Sequence, residues 1–292
     1  STTPNRSKTL RNCFTSCVNS RGSWSGSADV GAEDFGPKQS TPVPVVRIFP
    51  ERREERLDPV VVESPLALSF GDQPWLTTMR TPGHDLDLAL GLLFSEGVIR
   101  SANEVIRLTH CPEADPAESL VRIHVAETCS LPTQRAVFAS SSCGVCGTQA
   151  IEDLQRQFPV ITDDQLVTEE VLIKATTALR PLQRVFQVTG ALHGAALLDA
   201  QGSVLAMAED VGRHNAVDKV IGESLRRDLL GSVAILAVTS RVGFEIAAKA
   251  WAAGVQALVA VGAPSDLAVK TCQTAQIQLA GFANGERMNL YT

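Results

Sequence analysis

The feature that most constrains this chain is the alternation that begins at residue 181. Residues 186–188, 195–199 and 204–208 read as strands, 216–229 as a helix and 233–238 as an apolar strand. A helix over 245–253, a strand over 257–261 and a helix over 267–276 follow. Strands separated by helices in this way call for an α/β layer with helices on the sheet faces. Open α/β folds bind ligands at the turns beyond the carboxyl ends of their strands. Two such turns, Thr239-Ser240-Arg241-Val242-Gly243 and Gly262-Ala263-Pro264-Ser265, follow neighbouring strands and mark one pocket edge. Neither a GxGxxG nor a Walker A motif occurs, which argues against a standard dinucleotide or P-loop site.

Upstream the pattern is richer in strands. Residues 43–48 read as a strand, and the charged run 51–56 as a solvated turn. Strands follow at 60–63, 66–70 and 75–80, the last two joined by the turn Gly71-Asp72-Gln73-Pro74. Asp85 opens a helical pattern through Leu86, Leu88, Ala89, Leu92 and Leu93 that ends near Glu96-Gly97. Residues 106–108 and 120–125 read as a further strand pair, 151–154 as a short helix, and Thr168 as the cap of a helix over 169–179. The expected organisation is a flexible arm over 1–42 holding Cys13 and Cys17, a small strand-rich domain over 43–132, and an α/β domain over 133–292.

At 292 residues the chain can bury a substantial core. With 26 basic against 32 acidic residues the formal charge is −6, which argues against a nucleic-acid binder. No apolar run reaches the roughly 18–20 residues of a membrane helix, and the start of the chain does not resemble a signal peptide. Seven irregularly spaced cysteines do not suggest a secreted disulfide framework, so a reducing cytoplasm is expected.

Chemistry concentrates in three stretches. Ser140-Ser141-Ser142-Cys143-Gly144-Val145-Cys146-Gly147 sets two cysteines among small residues, an accessible dithiol. Half of a zinc site, a redox pair and a sulfur-carrying thiol are all compatible with it. His193 stands in a Gly-bounded turn just before a strand. Glu209-Asp210-Val211-Gly212-Arg213-His214-Asn215-Ala216-Val217-Asp218-Lys219 packs acid, base, amide and imidazole around a glycine at a helix start. There Arg213 and Lys219 are candidates to add contacts to an anion held at the helix N-terminus, a charged capping turn being the alternative.

Taken together, Ser142-Cys143-Gly144-Val145-Cys146-Gly147 and Gly212-Arg213-His214-Asn215-Ala216-Val217-Asp218-Lys219 resemble the FdhD family of formate dehydrogenase accessory sulfurtransferases. Glu63-Ser64-Pro65-Leu66, Met79-Arg80-Thr81-Pro82-Gly83, Ser95-Glu96-Gly97 and the segment from Gly281-Phe282 to Tyr291-Thr292 agree with it. The resemblance runs from about residue 42 to the end. It implies a cytoplasmic homodimer whose C-terminal part is cytidine-deaminase-like. It also implies that sulfur arrives from a cysteine desulfurase as a persulfide on Cys143, assisted or relayed by Cys146. The acceptor is then the bis-molybdopterin guanine dinucleotide cofactor that formate dehydrogenase requires, with GDP as a mimic. By the same resemblance Phe282, Ala283, Asn284, Gly285, Glu286 and Arg287 hold the guanine nucleotide. Arg213, His214, Lys219, His193, Arg241, Met79 and Arg80 are the other cofactor-binding candidates. Asn284 stands where the family carries an arginine, which removes one cation. The deaminase zinc signature is absent, since Gly194 and Ala195 follow His193, and no metal is expected. Two rival functions are a non-catalytic molybdenum-cofactor chaperone and a thiol-disulfide oxidoreductase using Cys143 and Cys146.

Overall fold

The computed structural model describes residues 39–112, 119–131, 147–162 and 167–292. The N-terminal arm with Cys13 and Cys17, and the loop with Cys143 and Cys146, lie outside them. Among the described residues no helix is long and apolar enough to cross a membrane.

The alternation read from residue 181 builds a six-stranded sheet. Its strands are β7 (His193–Leu198), β8 (Val204–Asp210), β9 (Ile235–Val238), β10 (Ala257–Ala260), β11 (Gln278–Gly281) and β12 (Asn289–Leu290). They lie in the order β12-β11-β10-β9-β7-β8, with β9, β10 and β11 parallel. The central strands β9 and β10 are apolar and buried throughout because both faces are covered. Leu236, Val238, Leu258 and Ala260 join one core, while Ile235, Ala237, Ala257 and Val259 join a second. α5 (Arg213–Arg226), α6 (Phe244–Ala252) and α7 (Asp266–Ala275) pack into the first core, and α3 (Glu169–Ala175) into the second.

The upstream segment forms a four-stranded sheet in the order β4-β3-β6-β5. Its strands are β3 (Ser64–Phe70), β4 (Gln73–Arg80), β5 (Val105–Pro112) and β6 (Ser119–Val125). α1 (Asp85–Ser95) joins this sheet to the larger one: Leu66, Val121, Leu88 and Leu93 share a single core with Val217, Ile221 and Ile246. Glycines let α1 and α5 approach closely. A Cβ on Gly91 would stand 1.9 Å from the Asp218 carbonyl oxygen, and one on Gly222 1.8 Å from that of Asp87.

Three expectations change. Residues 51–56 are not a solvated turn, because most of them belong to β2 (Arg53–Val61), which pairs antiparallel with β1 (Ser40–Ile48). An alternation of charges on an exposed ribbon carries no apolar signal. Residues 186–188 are helical, within α4 (Arg184–Thr189), instead of a strand. The Glu209 carboxylate accepts from the Val185 and Phe186 amides at 3.0 and 2.8 Å, satisfying N–H groups at the start of this short helix, and Gly190 closes it in the left-handed region. Finally, β11 and β12 were not legible in the C-terminal sequence. α2 (Gly147–Gln157) is longer than expected and enters directly after Cys146; beyond its end the Pro159 carbonyl accepts from the Trp251 indole at 2.7 Å.

Candidate functional site

The sheet order brings one set of loops to a single edge. Ala195 lies opposite Val238 and His193 opposite Asp210, so the start of β7 and the end of β8 meet the carboxyl ends of β9, β10 and β11. The turns there are tied to one another. Thr239 N donates to Gly194 O at 3.0 Å, Ser265 N to Val242 O at 2.9 Å, and Phe282 N to Gly262 O at 3.2 Å. Gly262 is needed for this approach, because a Cβ would stand 2.8 Å from the Ser240 carbonyl oxygen. The two turns expected from sequence are thus joined by a third, at Phe282.

Two helices start at this edge behind glycine caps, α5 after Gly212 and α6 after Gly243. Neither cap supplies a side-chain acceptor, so the helix starts keep N–H groups without a capping side chain. α7 differs, since its Ser265 hydroxyl accepts from Ala268 N at 3.2 Å. Arg213 and His214 open α5, and Arg241 is exposed on the β9 turn. Burial pushes the His193 pKa down, and the positive charges of Arg213, His214 and Arg241 push it further against the opposing Asp210. His193 is therefore largely neutral near pH 7 beside a cluster of cations. His214 Nε2 lies 2.8 Å from Glu245 Oε2, and that hydrogen bond holds the Glu245 carboxyl below its ordinary range although burial opposes it. Glu245 was missed in the sequence, where it looks like an ordinary first-turn acid.

The rest of the Gly-Arg-His-Asn block turns inward. Lys219 is 1% exposed; its Nζ lies 2.7 Å from Asp210 Oδ2 and donates to the Thr81 carbonyl at 2.9 Å. Asp210 also accepts from Thr81 N, Gly212 N and Asn215 Nδ2. Asn215 Nδ2 donates to the Met79 carbonyl at 2.7 Å, and its Oδ1 accepts from Thr78 Oγ1 at 3.2 Å. Asp218 binds Lys249 Nζ at 2.8 Å and the Ser95 hydroxyl at 2.9 Å. Arg80 is 2% exposed, with its guanidinium forked onto both Asp85 oxygens at 2.9 Å and bonded to Ser64. Burial works against ionisation of Asp85, yet hydrogen bonds from His110 and Arg80 hold its carboxyl at about 2.

This corrects two of the expected contacts. Lys219 and Arg80 do not present cations at the edge; each is closed within the joint between the two sheets by a buried carboxylate. Met79 reaches the surface next to that joint.

In the C-terminal segment Phe282 is exposed and left-handed, at φ 55°. Ala283 is buried, with its carbonyl accepting from Thr176 Oγ1 at 3.1 Å. Asn284 Oδ1 accepts from the Glu286 and Arg287 amides at 3.1 and 3.0 Å, so this side chain closes the turn. Gly285 supplies a φ of 92° that suits glycine, and Glu286 and Arg287 are exposed. Among the described cysteines Cys111 and Cys272 are buried and Cys129 is half-buried. Burial pushes the Cys272 thiol up to about 12, far from a nucleophile's range.

Comparison with known proteins bears on the whole arrangement. Residues 61–292 match the model of the FdhD/NarQ family. A "Sulfur carrier protein FdhD" of Anaeromyxobacter dehalogenans is 41% identical over 249 residues, covering 80% of this chain and 86% of that protein. One of the same name from Nocardia farcinica is 39% identical over 255 residues, covering 85% and 91%. The fold is shared with a crystal structure described as a putative formate dehydrogenase accessory protein from Desulfotalea psychrophila, with a TM-score of 0.71 at 23% identity over 87% of this chain and 98% of that one. By its extended match to the family model and its close relatives, the chain belongs to the FdhD/NarQ family.

Proposed function

We propose that this protein is a sulfur carrier that takes sulfane sulfur onto Cys143 and delivers it to the bis-molybdopterin guanine dinucleotide cofactor used by formate dehydrogenase. The observation that carries the reading is its relationship, at about 40% identity, to proteins named sulfur carriers. The sheet edge supports the substrate class. A guanine dinucleotide offers pyrophosphates and a flat base, and the edge offers Arg213, Arg241, two side-chain-free helix starts and an exposed phenylalanine. Arg287 adds a cation beside that ring in sequence, and neutral His193 contributes a hydrogen-bonding group without further charge.

In this reading the Cys143 thiolate attacks the outer sulfur of a desulfurase persulfide. The desulfurase thiolate leaves, and Cys143 keeps the sulfur as Cys-S-S⁻, with no net redox change. For release, the Cys146 thiolate attacks the inner sulfur: a Cys143–Cys146 disulfide forms, the outer sulfur leaves as sulfide for the acceptor, and a dithiol reductant resets the pair. Arg213, Arg241 and the helix starts hold the phosphates, while Phe282 stacks on the base.

The test begins with the protein, a cysteine desulfurase and cysteine. A mass gain of one sulfur atom on the Cys143 peptide is expected, and it disappears in Cys143→Ala. Activation of formate dehydrogenase by Cys143→Ala at the wild-type rate would sink the reading in favour of a cofactor chaperone. Turnover of a disulfide substrate without sulfur uptake would favour an oxidoreductase.

A further inference from the structure

The four strands of the smaller sheet, β3 to β6, contain no acidic residue, although the chain carries 32 acids against 26 lysines and arginines. Their basic residues are Arg80, Arg107, His110, Arg122 and His124. Two of these turn inward, where Arg80 and His110 meet the Asp85 carboxylate at 2.9 and 3.3 Å. The other three share the opposite face. Arg107 lies directly across from His124, and Arg122 precedes His124 by two residues on β6. Leu108, Val121 and Ile123, which alternate with them, belong to the core. None of the three outward residues has an ion pair with another described residue.

β5 is an edge strand, and a bulge shapes its start. Val105 pairs with Val125 and Arg107 with His124, so Ile106 is an extra residue. Val105 and Leu108 are each 2% exposed, which leaves Ile106 and Arg107 turned out between them, with Ile106 60% exposed. The bulge spoils this edge for strand addition, so a partner meets the side chains instead. It meets an apolar knob bordered by two guanidiniums and an imidazole. Glu104 and Glu127 flank the two strands, and Glu104 is occupied by the Arg100 amide at 2.6 Å. Two guanidiniums are few beside the roughly 6–10 phosphate contacts that hold a nucleic acid. An acidic protein surface with an apolar hollow is the better complement.

Position along the chain selects the partner. Directly after β6 the Ala126 amide donates to the Glu104 carbonyl at 2.8 Å, which holds the exit of β6 beside the start of β5. The described chain stops at Leu131 and resumes at Gly147, and Cys143 and Cys146 fall between. The face thus borders the point from which the chain leads off toward Cys143. We infer that Ile106, Arg107, Arg122 and His124 form the surface on which the protein that donates sulfur to Cys143 docks, by carboxylates set around an apolar hollow. The inference rests on the sulfur-carrying reading. These side chains govern encounter with the donor and take no part in the transfer itself.

The test follows sulfur on Cys143 by mass, using two donors. One is a cysteine desulfurase, which must dock, and the other is glutathione persulfide, which need not. Arg107→Glu, at an exposed position, raises the desulfurase concentration for half-maximal loading rate at least about fivefold, and Ile106→Asp does the same. With glutathione persulfide both variants load at the wild-type rate. Arg107→Lys keeps the charge and stays within about twofold of wild type. Loading of the wild-type protein by the desulfurase slows as salt is raised, and it slows less in Arg107→Glu. Unchanged circular dichroism and Tm confirm that the variants fold. Desulfurase loading of Arg107→Glu and Ile106→Asp at wild-type concentrations overturns the inference, and so does an equal loss with both donors. Wild-type protein that takes no sulfur on Cys143 from either donor overturns the sulfur-carrying reading, and this docking site with it.

Discussion

Within the first two turns of α5, neighbouring side chains serve two regions with opposite physics. Arg213 and His214 lie at the sheet edge, partly exposed, among helix starts without capping side chains. Asn215, Asp218 and Lys219 lie in the joint with α1, β4 and α6, buried and hydrogen-bonded to groups up to 138 residues away in sequence. A charge at the edge keeps its hydration and is available to an anion. A charge in the joint has lost its water and must be met by a fixed partner, so it defines geometry. The same motif is thus half exposed edge and half fastening.

The joint breaks most severely at its closest point. Gly222→Val places carbon where the Asp87 carbonyl oxygen stands, and neither backbone can yield without separating α1 from α5. Loss of soluble, cooperatively folding protein is expected, and a variant with wild-type Tm would refute the close crossing. Lys219→Met leaves Asp210 buried without its cation and costs about 3–5 kcal/mol in chemical denaturation. A loss below about 1 kcal/mol would mean that Lys219 is not the partner that matters.

A milder effect comes from pH. Asp85 has its folded-state pKa lowered from 3.8 to about 2, so its contribution is complete above about pH 4 and disappears as pH falls toward 2. Wild-type protein should lose about 2 kcal/mol more than Asp85→Asn across that window, measured by denaturant midpoints. Equal losses would show that Asp85 is not held down. The smallest effect belongs to the edge: Arg213→Ala and Arg241→Ala should leave stability within about 0.5 kcal/mol while each weakens GDP binding about tenfold by calorimetry. A destabilised Arg213→Ala would erase the contrast between the regions.

Much of this was readable before folding. Strands 235–238 and 257–260 announce themselves by continuous apolar runs, because a sheet covered on both faces has no polar side to show. The turns after them were identifiable as neighbours at one end of the sheet, since they follow adjacent parallel strands. Lys219 was read as an anion ligand because Asp210, nine residues earlier, and Thr81, far upstream, are neighbours only after β4 and β8 are brought together. The helix at 184–189 was hidden for the same reason, since its capping carboxylate comes from Glu209. Glu245 became visible only as the partner of His214.

By itself the sequence determined the α/β alternation, the edge carrying Arg241 and Gly262, and the likeness to the family, because each rests on local period or on residues contiguous along the chain. Tertiary structure alone decided which members of the Gly-Arg-His-Asn block face solvent and which are fastened inside. That choice depends on desolvation, and desolvation depends on what packs against a residue from elsewhere in the chain.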